Sequence, residues 1–182
     1  KARVYQFDRG ELFWGTVGFH ELPKYKAAKD NPDINATPRT YFAPKDLGFI
    51  EDKYQHEIYL LGIPSKMFIL TAPDSIWDPS RVPAGKHSLH VEEFTCPARL
   101  FSRKEWKQMT EQFVDVLFEV WQEYAPNMTK DNLIVHRITN PADIQDTHLD
   151  MKEGGWCEGN MAGVQNGRFR GIPGGYKTFV KN

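Results

Sequence analysis

The chain has 182 residues, of which 40% are hydrophobic and 26% are charged, and its formal net charge is −1. This length predicts one domain spanning 1–182, with enough apolar residues for a buried core. The balanced charge gives no electrostatic basis for binding nucleic acid or an anionic membrane, so we expect neither as a partner. No apolar run reaches the roughly 18 residues of a membrane-spanning helix, and no membrane span is predicted.

The first part of the chain is predicted to form short strands separated by polar loops. Aromatic and β-branched residues concentrate at 4–7 and 12–19, as is typical of strands. Residues 29–44 contain three prolines and predict a surface loop. Two further apolar runs, at 57–63 and 66–71, are separated by a Pro-Ser turn signal. The pattern therefore indicates strands joined by turns.

A half-buried strand is predicted at 87–94, after a loop at 72–86 that is rich in Pro, Gly, Asp and Ser. Leu89 and Val91 alternate with polar residues, and Glu93 continues the same face less cleanly. Strict alternation of this kind is typical of a strand with one face in the core.

A long amphipathic helix is predicted from Arg103 to Tyr124. Ser102 and Glu105 have the spacing of a capping box, and Pro126 cannot continue a helix. Apolar residues recur at steps of three and four and share one face. They are Trp106, Met109, Phe113, Leu117, Val120, Trp121 and Tyr124. A core-facing stripe is a more common use of such a face than a cofactor site.

The remaining elements complete a prediction of the α+β class. Residues 132–138 indicate another strand, and Asn140 followed by Pro141 has the signature of a helix N-terminus. After Met151 the sequence becomes rich in glycine. We expect a mixed, mainly antiparallel sheet covered by helices.

Several familiar sites are absent from the sequence. The dinucleotide-binding pattern G-x-G-x-x-G does not occur. His87 and His90 stand three apart on a predicted strand, which places them on opposite faces and prevents both from binding one metal, even with Cys96 nearby. We expect one histidine to be packed and the other solvated, and no metal site.

Cys96 and Cys157 are far apart and do not form a disulfide framework. We interpret both as free thiols in a reducing compartment, which favours the cytoplasm. In the glycine-rich segment, Glu158 beside Trp156 fits either an acid–base group or a solvated carboxylate. Arg168 and Arg170 fit either an anion site or surface positions, and these alternatives stay open.

Ordered motifs in the second half of the chain carry a family resemblance. Residues 74–87 read DSIWDPSRVPAGKH, a helix bearing Trp106 follows, and Tyr-Ala-Pro-Asn stands at 124–127. Then come Thr139, Pro141, Asp143, the glycines 154, 155 and 159, Gln165, Arg170, Tyr176 and Thr178. This order resembles the phytoene-desaturase-like FAD-dependent oxidoreductases, in the pyridine nucleotide-disulphide oxidoreductase domain-containing branch. The resemblance covers about 63–180, with departures at Asn140, Gln145, Gly171 and Phe179.

The resemblance implies that the chain is the substrate domain of such an enzyme. Members bind FAD through an N-terminal Rossmann part, which is not in this chain, and through a short C-terminal segment. The chain starts without methionine and ends inside a predicted strand, so we expect it to be part of a longer protein. FAD would be bound mainly by residues outside the chain, and the flavin would accept hydride from an apolar or amphiphilic small molecule.

The implied site lies in the glycine-rich segment. Substrate-binding positions are Trp156, Glu158, Gly159, Gln165 and Tyr176, and cofactor-binding positions are Arg168, Arg170 and Thr178. No catalytic residue is assigned, because the flavin performs the hydride transfer. The expected partner is the remainder of the flavoenzyme or a separate FAD-binding subunit. The alternative is a non-catalytic module in which an aromatic cavity binds a ligand or another subunit.

Overall fold

The computed structural model describes residues 11–58, 66 and 68–155, in which a five-stranded antiparallel sheet is combined with helices. The strands are β1 (Glu11–Phe19), β2 (Arg39–Phe42), β3 (Phe68–Thr71), β4 (His87–Thr95) and β5 (Leu133–Thr139). The helices are α1 (Leu47–Asp52), α2 (Asp74–Trp77), α3 (Arg103–Tyr124) and α4 (Pro141–Thr147), and a π-helical turn at Lys53–Glu57 continues α1. The α+β prediction with a mainly antiparallel sheet is confirmed.

Strand β1 lies inside the sheet, whose order is β2-β3-β4-β1-β5. It pairs along its whole length with β4, from Glu11 opposite Thr95 to Phe19 opposite His87. On its other side it pairs with β5, and the backbones come very close at Gly15. A Cβ atom added there would lie 2.0 Å from the carbonyl oxygen of Arg137. Only glycine fits this contact between the two strands.

Helix α3 packs across one face of the sheet through aromatic side chains. The ring of Phe13 in β1 stacks on Phe113 with centroids 4.7 Å apart and meets the edge of Trp106 at 5.8 Å. At the other end of β1, Phe19 contacts Trp121 at 5.9 Å. These rings are fully or almost fully buried. The helical stripe predicted from the sequence is therefore the centre of the core.

Caps fix the ends of the helices as predicted. The side chain of Ser102 accepts from the backbone N–H of Glu105, whose carboxylate accepts from the N–H of Ser102. At α4, Asn140 accepts from the N–H of Asp143 at 3.0 Å and donates to Thr110 of α3 at 3.0 Å. The second cap therefore also ties α4 to α3.

Two predicted loops contain regular structure, so those predictions were wrong in part. The stretch 29–44 includes β2, an edge strand whose four residues lie between prolines and contain too little alternation to be recognised. The stretch 72–86 includes the four-residue helix α2. The predicted strand at 57–63 begins in helical backbone at Glu57 and Ile58. Its remainder, and the strand predicted at 4–7, lie outside the described residues.

None of the helices in the described part of the chain is both long enough and apolar enough to cross a bilayer.

We predict that Gly15→Ala weakens the contact between β1 and β5. The new methyl group would force the strands apart, and overpacking of this kind costs about 3 kcal/mol of unfolding free energy. The matched control is Gly18→Ala in the same strand, where a Cβ would lie 3.2 Å from Cγ1 of Val135 and at ordinary contact distance, 3.7 and 3.8 Å, from two backbone oxygens. Urea denaturation should show a loss below about 1 kcal/mol for the control. Equal losses would contradict the assigned register.

Candidate functional site

The site residues predicted from the sequence all lie beyond the part of the chain that the structure describes. They are Trp156, Glu158, Gly159, Gln165, Arg168, Arg170, Tyr176 and Thr178. The structure does describe Gly155, from which this segment continues, and the surfaces around it.

Gly155 is held against the start of β1. It forms an isolated antiparallel bridge with Glu11, the first residue of that strand. The preceding Gly154 has a φ of 81°, and a Cβ added to it would lie 2.4 Å from Pro141 of α4. A side chain is therefore excluded at Gly154 by both conformation and space.

Glu153 holds the same turn from the other side. Its backbone has a φ of 62°, which side chains rarely adopt. Its carboxylate accepts from the backbone N–H of Arg99 at 3.1 Å, and its own N–H donates to Gln145 at 2.8 Å. These contacts fix the backbone of the turn that ends at Gly155.

A buried group of charged side chains lies at this end of the sheet. Nζ of Lys53, in the π-helical turn, is 2.7 Å from Oε1 of Glu93, and both side chains are at most 1% exposed. The same Glu93 oxygen accepts from the backbone N–H of Phe94 at 2.7 Å. Glu11, also buried, lies on the same face of the neighbouring strand. Buried charges of this kind are stable only when they are paired.

Burial determines the protonation behaviour of this group. It raises the pKa of Glu93, and the ammonium group of Lys53 acts in the opposite direction.

Cys96 follows β4 and is a buried free cysteine, as expected for a free thiol, whereas Cys157 lies outside the described residues. Burial raises the pKa of Cys96 to about 11, so the residue is a neutral thiol rather than a reactive thiolate at pH 7.

The face of the sheet opposite α3 carries a band of aromatic and polar side chains. Its members come from alternate positions of all five strands: Arg39, Tyr41, Ile69, Thr71, Ser88, His90, Glu92, Trp14, Thr16, Val135 and Arg137. We call this the outer face. Trp14 is 50% exposed and Tyr41 is 61% exposed. Large exposed aromatic side chains on one surface are typical of a binding face.

His90 occupies the middle of the outer face. Its ring meets the indole of Trp14 edge-on, with centroids 4.9 Å apart. Within the described residues its Nε2 atom is shielded from solvent and has no hydrogen-bond partner. Burial lowers the pKa of His90, so the ring is neutral at pH 7. Beside it, the guanidinium of Arg39 forms an ion pair with Glu92. The outer face thus combines aromatic surface with a neutral imidazole.

His87 and His90 lie on opposite faces of β4, as the spacing predicts. Nδ1 of His87 is 2.6 Å from Oγ of Ser75 in α2. Both histidines are partly buried, so the expectation that one packs and the other is solvated was wrong. Each ring has a protein neighbour, Phe19 for His87 and Trp14 for His90. Residues 11–58 and 68–155 hold no cluster of three or more potential metal ligands.

A groove of about 570 Å³ opens at the other end of β1, between the segment that follows β1 and α2. It is lined by His20, Glu21, Leu22, Pro23, Lys24, Tyr25, Ala28, Asn35, Ile76 and His87. The groove and the end of the sheet at Gly155 are separated by the length of β1, nine residues, or about 30 Å at the rise of an extended strand.

The sequence pattern predicts which side chains share a face of the sheet, but not the buried ion pair. Alternation along β1 places Trp14 and Thr16 opposite Phe13 and Val17, but it does not say which face is covered by α3. No local signal relates Lys53 to Glu93, because the two residues are distant along the chain.

Comparison with known proteins adds no family assignment. No protein-family model matches the sequence, and no match was found among curated proteins.

We predict that Lys53→Met strongly destabilises the fold. It leaves Glu93 buried without its cation, which costs about 3–5 kcal/mol of unfolding free energy. The control is Lys130→Met, which removes an exposed ion pair with Asp115 and should cost less than about 1 kcal/mol. Chemical denaturation of both variants measures the difference.

The same pair predicts a direction for the effect of pH on the Lys53→Met variant. Without Lys53 the folded-state pKa of Glu93 lies further above its ordinary value of 4.5, so the folded state binds the proton more tightly. The stability loss should therefore be small at pH values below 4.5 and grow as the pH rises through the folded-state pKa. A loss independent of pH would contradict a buried charged pair.

Proposed function

We propose that the chain is the substrate-facing domain of an FAD-dependent oxidoreductase that transfers hydride from an apolar or amphiphilic molecule to the flavin. The sequence motifs carry the family resemblance. The observation that best supports it from the structure is the outer face, where Trp14 and Tyr41 remain exposed while α3 covers the opposite face. An antiparallel sheet with exposed aromatic side chains on one face is suited to closing a substrate against a planar cofactor.

The position of Gly155 supports the same proposal. The resemblance assigns the substrate and cofactor contacts to the segment that continues from Gly155, including Trp156, Glu158 and Arg170. That segment starts at an edge defined by the bridge to Glu11 and the left-handed conformation of Gly154. In this proposal the fixed turn sets where the segment begins, so that its side chains are positioned by a rigid scaffold.

Trp14 and His90 form a neutral part of the outer face that fits hydride chemistry, and the neighbouring charges of Arg39 and Glu92 pair with each other. A hydride acceptor needs an apolar, water-poor surrounding, and the flavin supplies the redox step itself. Trp14 and His90 would form the wall against which the substrate packs, with the imidazole nitrogen of His90 as a polar contact. We propose no acid–base role for either residue.

FAD and its binding part would be supplied by the remainder of the enzyme or by a separate subunit. A neutral, buried Cys96 thiol is compatible with a reducing compartment, and we propose a cytoplasmic location. The second candidate function is a non-catalytic module. It is favoured by the open groove of about 570 Å³ near Tyr25 and Ile76, whose size suits a small ligand.

The proposal is tested by the visible absorption spectrum of the protein. We expect a flavin band when the chain is purified with its natural flanking sequence or with its FAD-binding partner, and none from the isolated chain. A flavin band in the isolated chain would contradict the assignment of FAD binding to other residues. Absence of flavin under both conditions would overturn the oxidoreductase proposal in favour of the non-catalytic module.

The role of the outer face is tested on the flavin-loaded protein with any compound that reduces the flavin in a substrate screen. Trp14→Ala should weaken binding of that compound about tenfold, because an aromatic anchor is lost. The control is Trp77→Ala in α2, which is also exposed but does not belong to the outer face. Equal effects of the two substitutions would remove the outer face from the substrate site.

A further inference from the structure

The pairing of the strands arranges the side chains of the outer face in rows. Across β4, β1 and β5, His90 lies opposite Thr16, and Thr16 lies opposite Arg137. Trp14 is the neighbour of Thr16 on the same face of β1, so it is a diagonal neighbour of Arg137. Diagonal neighbours are about 7–8 Å apart, which a long or aromatic side chain can span. An aromatic side chain and an arginine therefore share the part of the outer face that borders β5.

Arg137 gives this part of the outer face a positive charge. The charged members of the outer face are Arg39, Glu92 and Arg137. Arg39 forms an ion pair with Glu92, so these two charges compensate each other. Arg137 is exposed, and its side chain forms no ion pair or hydrogen bond with the described residues. Because a guanidinium stays protonated in proteins, the charge of Arg137 is present at any working pH.

The side chains around Arg137 suit an anion that also has an apolar part. Trp14 is 50% exposed, and the edge contact with His90 positions its ring. Val135, two residues before Arg137 on the same face, is 61% exposed. The exposed Thr16 offers a hydroxyl opposite Arg137. A small inorganic anion would leave the indole and the valine uncovered, whereas an amphiphilic anion covers them.

The single charge of Arg137 favours a carboxylate over a phosphate. A guanidinium donates two parallel hydrogen bonds to the two oxygens of a carboxylate, and one positive charge balances one negative charge. A phosphate monoester carries a charge of about −1.5 to −2 at pH 7, which one arginine would not balance.

We propose that the outer face takes a substrate that carries a carboxylate, with the apolar body of the substrate on Trp14 and the carboxylate bound by Arg137. The hydroxyl of Thr16 donates to the same carboxylate. Arg137 thus determines which molecules the oxidoreductase accepts, a role that rests on the proposed function.

The charge requirement is tested with two ligands of the same shape, 2-naphthoate and 2-naphthamide. Both present the same ring to Trp14, so the difference between their affinities reports the carboxylate. Isothermal titration calorimetry measures both on the whole protein, with its flanking sequence or its FAD-binding partner. We expect 2-naphthoate to bind about fivefold more tightly, the upper end of the range for an exposed ion pair. Equal affinities, or no binding of 2-naphthoate, would overturn the proposal.

Substitutions at three positions locate the contact. Arg137→Gln should remove the preference for 2-naphthoate and leave the affinity for 2-naphthamide unchanged. The control is Arg103→Gln in α3, on the other side of the sheet, which should change neither affinity. Trp14→Ala should weaken both ligands about tenfold, because both lose the aromatic contact. A preference that survives in Arg137→Gln, or affinities that are unchanged in Trp14→Ala, would place the ligand elsewhere and overturn the proposal.

The flavin band distinguishes failure of this site from failure of the oxidoreductase proposal. A preference for 2-naphthoate that requires Arg137, in a whole protein without a flavin band, would support the carboxylate site and overturn only the oxidoreductase proposal. A flavin that a compound reduces in a Trp14-dependent way, together with equal affinities for the two naphthyl ligands, would overturn only the carboxylate site.

Discussion

The packing of α3 on one face of β1 is the interaction on which the rest of the structure depends. The ring of Phe13 contacts both Phe113 and Trp106, and Phe19 contacts Trp121, so α3 and β1 bury their largest side chains against each other. Antiparallel sheets need only one buried face to be stable. Because α3 covers one face, the side chains of the outer face are not needed for the core and are available for binding.

The close fit of β1 between its neighbours also connects the two ends of the molecule. At one end, Glu11 bridges to Gly155 and lies on the same face as the buried pair of Lys53 and Glu93. At the other end, the residues after Phe19 form the wall of the groove, held by Asn127 and Asn132. Because β1 is paired on both sides, it holds these two separate surfaces at a constant distance.

Local sequence patterns predicted the long helix and strand β4, whose conformations depend mainly on neighbouring residues in the chain. The helix from Arg103 to Tyr124 follows from its apolar period, its capping box and the proline after it. The alternation in β4 placed Glu93 on the buried face, but its partner Lys53 comes from a distant turn that no local pattern connects to it. Strand β2 was missed because four residues contain too little alternation, and its pairing with β3 determines its conformation instead.

Sequence patterns predicted less of the candidate site than of the fold. The residues proposed between Trp156 and Thr178 rest on the family resemblance and lie beyond the described residues. By contrast, the alternation in β1 and β4 divides the side chains of these strands into two sets, one for each face of the sheet. Which set faces α3 is decided by tertiary packing, so only the folded structure places Trp14 and His90 on the outer face.

The most direct test of the central claim is the experimental structure of the protein together with its FAD-binding part. The account predicts that the isoalloxazine ring lies on the side of the outer face, nearer to Trp14 than to any residue of α3. A flavin on the side covered by α3, or a complete protein that contains no flavin, would contradict it.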